Sequence, residues 1–426
     1  MIALRGDAGI GGSVGGPVGG LVDDLFRRAA GRMVSRLARV LGPGRLDLAE
    51  DAVQDALIRA LQRWPYTGVP DRPEAWLFTV ARNAARDRLR RAETGAEMYA
   101  ELARLNEAPP EPPADASVDD ELAMMFMCCH PDLPHAARVA LTLKTVGGLS
   151  VDEIAAAFLV EPATVAQRLV RAKRQIADRR LALAVPEARE LPSRLLALLD
   201  AIYLMFNEGY GAHGGENLVR VDLCAEAIRL ARLLTAEPRT DRPDVRAVLA
   251  LMLFNAARLP ARIDSAGDLT LLADQDRARW DQRLLSEAFR QFEASLSGAE
   301  KSPFHVEAAI ASVHAAAPTY ADTDWPAILS LYDELAALRP SPVVALNRAI
   351  ALAHVDGPRA GLAALDALDR DGALDAYHLL PAAQGALWLE LAESARAAQC
   401  FARALTRPCS APERRFLMRR QAECKA

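Results

Sequence analysis

The chain has 426 residues, 51 basic and 56 acidic side chains, and a formal net charge of −5 at pH 7. That length predicts two or three domains, and a hydrophobic content of 51% is ample for their cores. No apolar run reaches membrane-spanning length and none has the layout of a signal peptide, so the reading is a cytoplasmic protein with no membrane partner. Six cysteines without a CxxC pair argue against a disulfide framework.

The first twenty residues are dominated by glycine ("GDAGIGGSVGGPVGG") and read as a disordered leader or as sequence upstream of the true start. From residue 21 to 91 the periodicity is helical. "DLAEDAVQDALIRALQRW" (47–64) places Leu48, Val53, Ala56, Leu57, Ala60 and Leu61 on one stripe, while Asp51, Gln54 and Asp55 point elsewhere. The loop "PYTGVPDRP" leads to "EAWLFTVARNAARDRLRR" (74–91). There Trp76 and Phe78 lie beside a helix displaying Arg82, Asn83, Arg86, Arg90 and Arg91. Aromatics next to a basic helix suit a surface that meets unstacked bases and a phosphate backbone; a core anchor accounts for Phe78 at least as well.

Residues 92–122 carry nine acids and one arginine, with prolines in "EAPPEPPAD". The composition predicts an acidic linker over 92–119, stiffened by proline. "CCHPDLPH" (128–135) brings metal ligands to mind. Neighbouring cysteines splay apart on a helix, however, and a four-ligand zinc site draws on two separated pairs. Cys128 and Cys129 are therefore read as helix-end packing, with no metal and no cofactor.

Residues 120–185 form a third block. In "GGLSVDEIAAAFLVEPATVAQRLVRAKRQI" (147–176), Ser150 and Glu153 make a capping box. Ile154, Ala155 and Phe158 supply the buried face of a first helix, and Pro162 opens a second. The second helix buries Val165, Leu169 and Ala172 and shows Thr164, Gln167, Arg168, Arg171 and Arg174 at steps of three and four. Residues 162–180 hold six basic side chains and one acid. A helix laid in the major groove needs this arrangement: arginine forks for phosphates and guanine edges, and short polar residues near its N-terminus for base contact. A solvated helical hairpin with an arginine-rich face is the structural alternative.

From about 190 to 426 the chain reads as one long all-helical region, with "RIDSAGDLTLL" (262–272) as the single place for a short hairpin and "NEGYGAHGGEN" (207–217) as a loop. Gly385, Trp388, Ala397, Phe401 and Ala404 match the small and aromatic positions of a tetratricopeptide (TPR) helix pair. Gly361, Leu365 and Leu368 echo them weakly. So few repeats hardly stand alone, which predicts that the helices of 193–340 stack with them. Glu208, His213 and Asp222 have no nucleophile–base spacing and belong to no ligand set, so the chain is read as no enzyme and no catalytic residue is assigned. Residues 1–180 balance 24 bases against 24 acids, and the deficit of five lies in 181–426. Only four of the 51 basic residues are lysine, which the codon bias of a GC-rich genome explains.

Together these residues carry a resemblance. "DLAEDAVQDAL", "WLFTVARN" and then "LPHAARVALTLKTVGGLSVDEIAAAFLV" with "TVAQRLVRAKRQI" resemble regions two and four of bacterial extracytoplasmic-function sigma factors of the sigma-70 family, in the right order. "YLMFNEGY", "LVRVDLCAEAIRLARLL", "DQDRARWD", "DTDWPAILSLYDEL", "PSPVVALNRAIAL" and "YHLLPAA" are similar to the long C-terminal, TPR-like extension of one subfamily. The chain departs from the pattern in opening its second helix with Glu-Pro, in the insertion "GPGR" (42–45), and in "FNAARLPAR" (254–262) where a histidine-containing version is expected.

The resemblance implies an all-α fold: a region-two domain over 21–91, a region-four domain over 120–185, and the extension over 190–426. It also implies that Asp51, Gln54 and Asp55 dock on a coiled coil of the largest subunit of RNA polymerase core, with the flap as a further contact. Trp76, Arg82, Asn83, Arg86 and Arg90 then meet the minus-ten element of promoter DNA, and the loop 65–73 holds a flipped base. Thr164, Gln167, Arg168, Arg171 and Arg174 read the minus-thirty-five element, and a regulatory protein or ligand acts at the extension. On the residues alone two other classes stay open: a helix-turn-helix transcriptional regulator with a helical-repeat sensor, which leaves the 47–91 block unexplained, and a scaffold whose basic helices bind protein.

Overall fold

The structure is a computed structural model. It describes residues 30–92, 103–105, 107, 114–158, 160–211, 219–264, 267–298 and 301–424, so the glycine-rich leader, most of the acidic linker and His213 lie outside the described residues. The described residues are helical with no named strand, in keeping with the all-α expectation. They fall into two compact units, one of residues up to Val151 together with Val165–Pro186, the other of Asp152–Thr164 with Glu187–Ala426.

In the first unit, α1 (residues 30–41) precedes α2 (Leu46–Thr67) and α3 (Pro73–Ala92), which pack on each other. The apolar stripe read from the sequence is largely the buried one: Val53, Ala56, Leu57 and Ala60 are buried, with Leu77, Phe78 and Ala81 of α3. α2 runs three residues beyond the expected Trp64. Pro65 is tolerated near the helix end, and the helix stops only at Gly68, whose φ of +78° few other residues adopt and whose N–H caps the Trp64 carbonyl at 3.0 Å. α4 (Ala114–Cys128) and α5 (His135–Thr145) follow. α4 begins inside the stretch expected to be linker. Its second half, Leu122–Cys128, is fully buried, and a helix nucleated there extends backwards at low cost. α7 (Pro162–Arg179) belongs to this unit from Val165 onward and buries Val165, Leu169, Ala172 and Ile176.

The two sides of this unit meet closely. A Cβ on Gly31 of α1 would come within 2.5 Å of the Val146 carbonyl just after α5. Arg39 pairs with Asp120 at 2.7 Å and donates to the Leu183 carbonyl at 3.0 Å. The "GPGR" insertion forms a 3₁₀ turn (Pro43–Arg45), and Gly44 faces Ala177 of α7.

The second unit holds α6 (Val151–Phe158) from Asp152 onward, then α8 (Leu191–Tyr210), α9 (Val221–Ala236) and α10 (Pro243–Ala257). α8 includes Asn207–Tyr210, which the sequence assigned to a loop; Glu208 and Gly209 are buried there, and a Cβ on Gly209 would meet the Arg220 carbonyl at 2.9 Å. α10 is apolar on every side from Ala247 to Phe254 and wholly buried there, as a helix at the centre of a bundle must be. α8, α9, α11 (Gln282–Ser295) and α12 (Pro303–Ala316) all pack on it. The expected hairpin reduces to one isolated antiparallel bridge, Ile263 with Leu269.

Beyond α12 come α13 (Trp325–Leu338), α14 (Pro342–Asp356), α15 (Pro358–Asp371), α16 (Leu379–Glu390), α17 (Ser394–Leu405) and α18 (Ala411–Glu423), each packed on the next. The small-and-large code read from the sequence works as expected. A Cβ on Gly385 would lie 2.9 Å from the Phe401 ring, and one on Gly361 would lie 2.5 Å from the Ala353 Cβ. Glycine at both positions lets the helices approach, and Phe401, Leu365 and Leu387 fill the space between them.

Candidate nucleic-acid interface

The candidate residues sit on three helix faces, and packing decides which side chains remain outside. On α2, the buried positions leave Asp51 and Gln54 exposed and Asp55 half-buried. Arg88 of α3 lies 3.1 Å from Asp51 and 2.9 Å from Asp55. This clamp was not read from the sequence, because Asp55 and Arg88 are 33 residues apart in the chain and nothing local announces it. Gln54 remains as a polar group on an acidic, outward-facing strip.

On α3, Phe78 is buried with the Arg36 guanidinium 3.7 Å from its ring centroid, so the core reading of Phe78 is the correct one. Trp76 is half-buried against Trp64, ring centroids 5.5 Å apart. Arg82, Asn83 and Arg86 are half-buried, while Arg90 and Arg91 are exposed. Next to Trp76 is a surface cavity of about 390 Å³ lined by Arg59, Gln62, Arg63, Tyr66 and Val80. Tyr66 is 89% exposed. An exposed tyrosine, a partly exposed tryptophan and two arginines around one concavity can stack a base and hold its phosphate. Sequence reading pointed to the loop that starts at Pro65, but missed Arg59, Gln62 and Arg63, which α2 supplies from the turn before it.

On α7, Thr164, Gln167, Arg171 and Arg174 are exposed and Arg168 is half-buried. Arg174 lies 3.6 Å from Asp178 along the same helix, a solvated pair that costs little to exchange for a phosphate. Val170, 67% exposed on the same helix, was not singled out; an apolar side chain among arginines suits a thymine methyl group. Lys173 behaves differently from its neighbours. It donates to Glu50 and Asp47 of α2, each at 2.6 Å, and Glu50 also accepts from the Thr145 hydroxyl at 2.9 Å. Burial pulls the Lys173 pKa down, but Glu50 and Asp47 outweigh it and hold the ammonium above its ordinary value.

Glu153, expected to close a capping box, pairs with Arg220 at 2.5 Å. Arg220 directly precedes α9, and both residues belong to the second unit. The cysteine stretch is packing: Cys128 and Cys129 are buried, burial pushes the Cys128 thiol well up, and the Cys129 sulfur lies 3.4 Å from the Thr142 hydroxyl. Asp132 pairs with Arg179 at 2.6 Å. Among the described residues no group of histidine, cysteine and acidic side chains has the arrangement of a metal site, and no helix is long and apolar enough to cross a membrane.

Comparison with known proteins matches residues 25–94 to sigma-70 region 2, residues 123–176 to sigma-70 region 4, and residues 194–296 to a family of unknown function (DUF6596). An uncharacterized protein of Rhizobium meliloti is 40% identical over 378 residues, 87% of this chain and 89% of its own. RNA polymerase sigma factor CarQ of Myxococcus xanthus is 32% identical over 149 residues, 35% of this chain and 83% of its own. The probable ECF RNA polymerase sigma factor SigI of Mycobacterium tuberculosis is 30% identical over 151 residues, which span 34% of this chain and 51% of that protein. No solved structure matches.

Proposed function

The chain belongs to the extracytoplasmic-function group of the sigma-70 family, and from that premise we propose that it brings bacterial RNA polymerase core to specific promoters in the cytoplasm and starts transcription there. The observation that carries the reading is the pair of matches in order, region 2 over 25–94 and region 4 over 123–176, on helices whose polar faces point outward. Asp51, Gln54 and Asp55 dock on the largest subunit's coiled coil, and the region-four part meets the flap. Trp76, Arg82, Asn83, Arg86 and Arg90 engage the minus-ten element and help separate its strands, the unpairing being offset by stacking in the cavity beside Trp76 and Tyr66. Thr164, Gln167, Arg168, Arg171 and Arg174 read the minus-thirty-five element. The chemistry remains the polymerase's.

The pairing of Lys173 with Asp47 and Glu50 bears on the free protein. The two promoter elements lie about 25 base pairs apart, or about 85 Å at 3.4 Å per step. With α7 tied to α2 at 2.6 Å and α3 packed on α2, α3 and α7 cannot read both at once. Core binding therefore separates α7 from α2, and the uncomplexed chain is closed to promoters.

The extension acts on the other half of the helix-turn-helix. Residues 152–164 pack within the C-terminal unit, and Glu153 is held by Arg220. A chain truncated after Glu190 loses that support. Such a chain is expected to co-elute with purified core as the full chain does, and to give less promoter-directed RNA at equal core occupancy. Equal RNA from both, across salt concentrations, would make the extension a passive appendage. Failure of the full-length chain itself to co-elute with core would overturn the sigma-factor reading in favour of a helix-turn-helix regulator that binds DNA alone.

A further inference from the structure

We propose that the C-terminal unit binds a small organic anion, a carboxylate or a phosphate ester, in a cavity bordered by α8, α10, α12, α13 and α14, with the Arg258 guanidinium as its anchor. The inference rests on the extension alone and stands whether or not the chain works as a sigma factor.

The cavity measures about 460 Å³, within the range of small-molecule sites. Arg258, which directly follows α10, lines it. Its Nε is buried with no hydrogen-bond partner, and its guanidinium carbon lies 5.8 Å from the Trp280 ring centroid, an uncharged neighbour. Burial lowers its pKa and the neighbouring Arg262 lowers it further, although Tyr210 acts the other way. Arg277 feels the Arg258 charge as well. Arg277 Nη1 donates to the His314 and Ala317 carbonyls, both at 2.7 Å, while its Nη2 is buried without a partner. The Nδ1 of His314, on the cavity wall, is likewise buried and unpartnered. Cationic and polar groups gathered in one place with unmet hydrogen bonds are costly in a folded protein unless something pairs with them.

Glu307 is the one acid among the cavity's lining residues, and it is already engaged. It accepts from the Tyr203 hydroxyl at 2.8 Å and lies 3.5 Å from Arg339. It does not neutralise Arg258. Leu251, Ile310 and Leu335 give the walls an apolar part that suits the carbon skeleton of an organic anion, while the charged end needs only Arg258.

The test uses the full-length chain and two probes, inorganic phosphate and succinate, at constant ionic strength in chloride. Both should raise the thermal unfolding midpoint of the wild-type chain in a saturable manner. Arg258→Met should unfold at a higher midpoint than wild type without either anion, since it removes an uncompensated buried charge, and should show no anion-induced rise. Independently, succinate should shift the His314 ring titration upward in NMR of the wild-type chain. No rise in wild type, an equal rise in both chains, a lower anion-free midpoint in Arg258→Met, or an unmoved His314 titration would each overturn the proposal.

Discussion

Lys173 donates to Glu50 across 2.6 Å, so α7 is fastened to α2, and on the proposed roles the base-reading helix is tied to the polymerase-binding one. Both side chains are largely shielded, 13% and 12% exposed. Removing one partner from a shielded pair leaves the other charge uncompensated, at a cost of up to about 3 kcal/mol. Lys173→Met is therefore expected to lower the urea midpoint of the first unit. Spin labels at the exposed positions Ile58 on α2 and Val170 on α7 should report a short distance in the free chain and one longer by tens of Å on core, in line with the separation of about 85 Å between the elements. An unchanged distance on core would mean that the link persists in the working complex.

Gln54→Ala is the cleanest probe of the polymerase face. The side chain is exposed, and exposed substitutions away from special contacts change stability by about 0.5 kcal/mol or less. Core affinity should fall while helicity and midpoint hold. Asp51→Arg should weaken core binding more, but it also opposes Arg88, 3.1 Å from the native carboxylate. Undiminished affinity for both variants in a pull-down titration would remove this face from the interface.

Arg171→Ala should cost about 1–3 kcal/mol of promoter affinity if the side chain forks onto a guanine, confined to templates carrying that base, and a smaller, sequence-independent amount if it touches only phosphate. Arg168→Ala follows the same rule. Initiation from templates altered at each upstream position separates these outcomes, and wild-type behaviour on every template would show that α7 is not the reading helix.

His314 gives the extension a pH dependence. Burial first, then Arg258, Arg277 and His354, push its pKa down to about 4 from an ordinary 6.5; the indole of Trp325 packs edge-on at 5.4 Å and carries no charge. Below pH 6.5 the unfolded chain binds a proton that the folded chain refuses, so this contribution to stability is intact above 6.5 and declines as pH falls towards 4. Glu413, held down to about 2 by His378 and Ser410 against the effect of burial, loses its contribution in a lower window, between about 4.5 and 2. The difference in urea midpoint between wild type and His314→Gln, measured at pH 7 and pH 5, should narrow or reverse at pH 5. A difference independent of pH would show that His314 does not titrate in this range.

Much of this molecule can be read along the chain, because amphipathic helices bury what their period dictates. Val53, Ala56, Leu57 and Ala60 on α2, and Val165, Leu169 and Ala172 on α7, are buried as the spacing requires. Gly385 facing Phe401 follows from the same kind of local code. The long-range relations were not legible. Lys173 meets Glu50 from 123 residues away, and in sequence it is simply one more base in a basic run. Glu153 fits a capping box, and only the packing of residues 152–164 within the C-terminal unit brings it to Arg220. Arg258 looks like an ordinary helix-end arginine, and the burial of its unpartnered Nε is visible only once the surrounding helices are in place.

The central claim is that this chain gives polymerase core its promoters. It is tested most directly by transcription with purified core on a pool of genomic fragments, with the 5′ ends of the RNA mapped. With the full-length chain added, the starts should collapse onto a small set of sites sharing two elements at a fixed spacing, and scrambling either element should abolish them. The same scattered 5′ ends with and without the chain, under conditions where it binds core, would contradict the account.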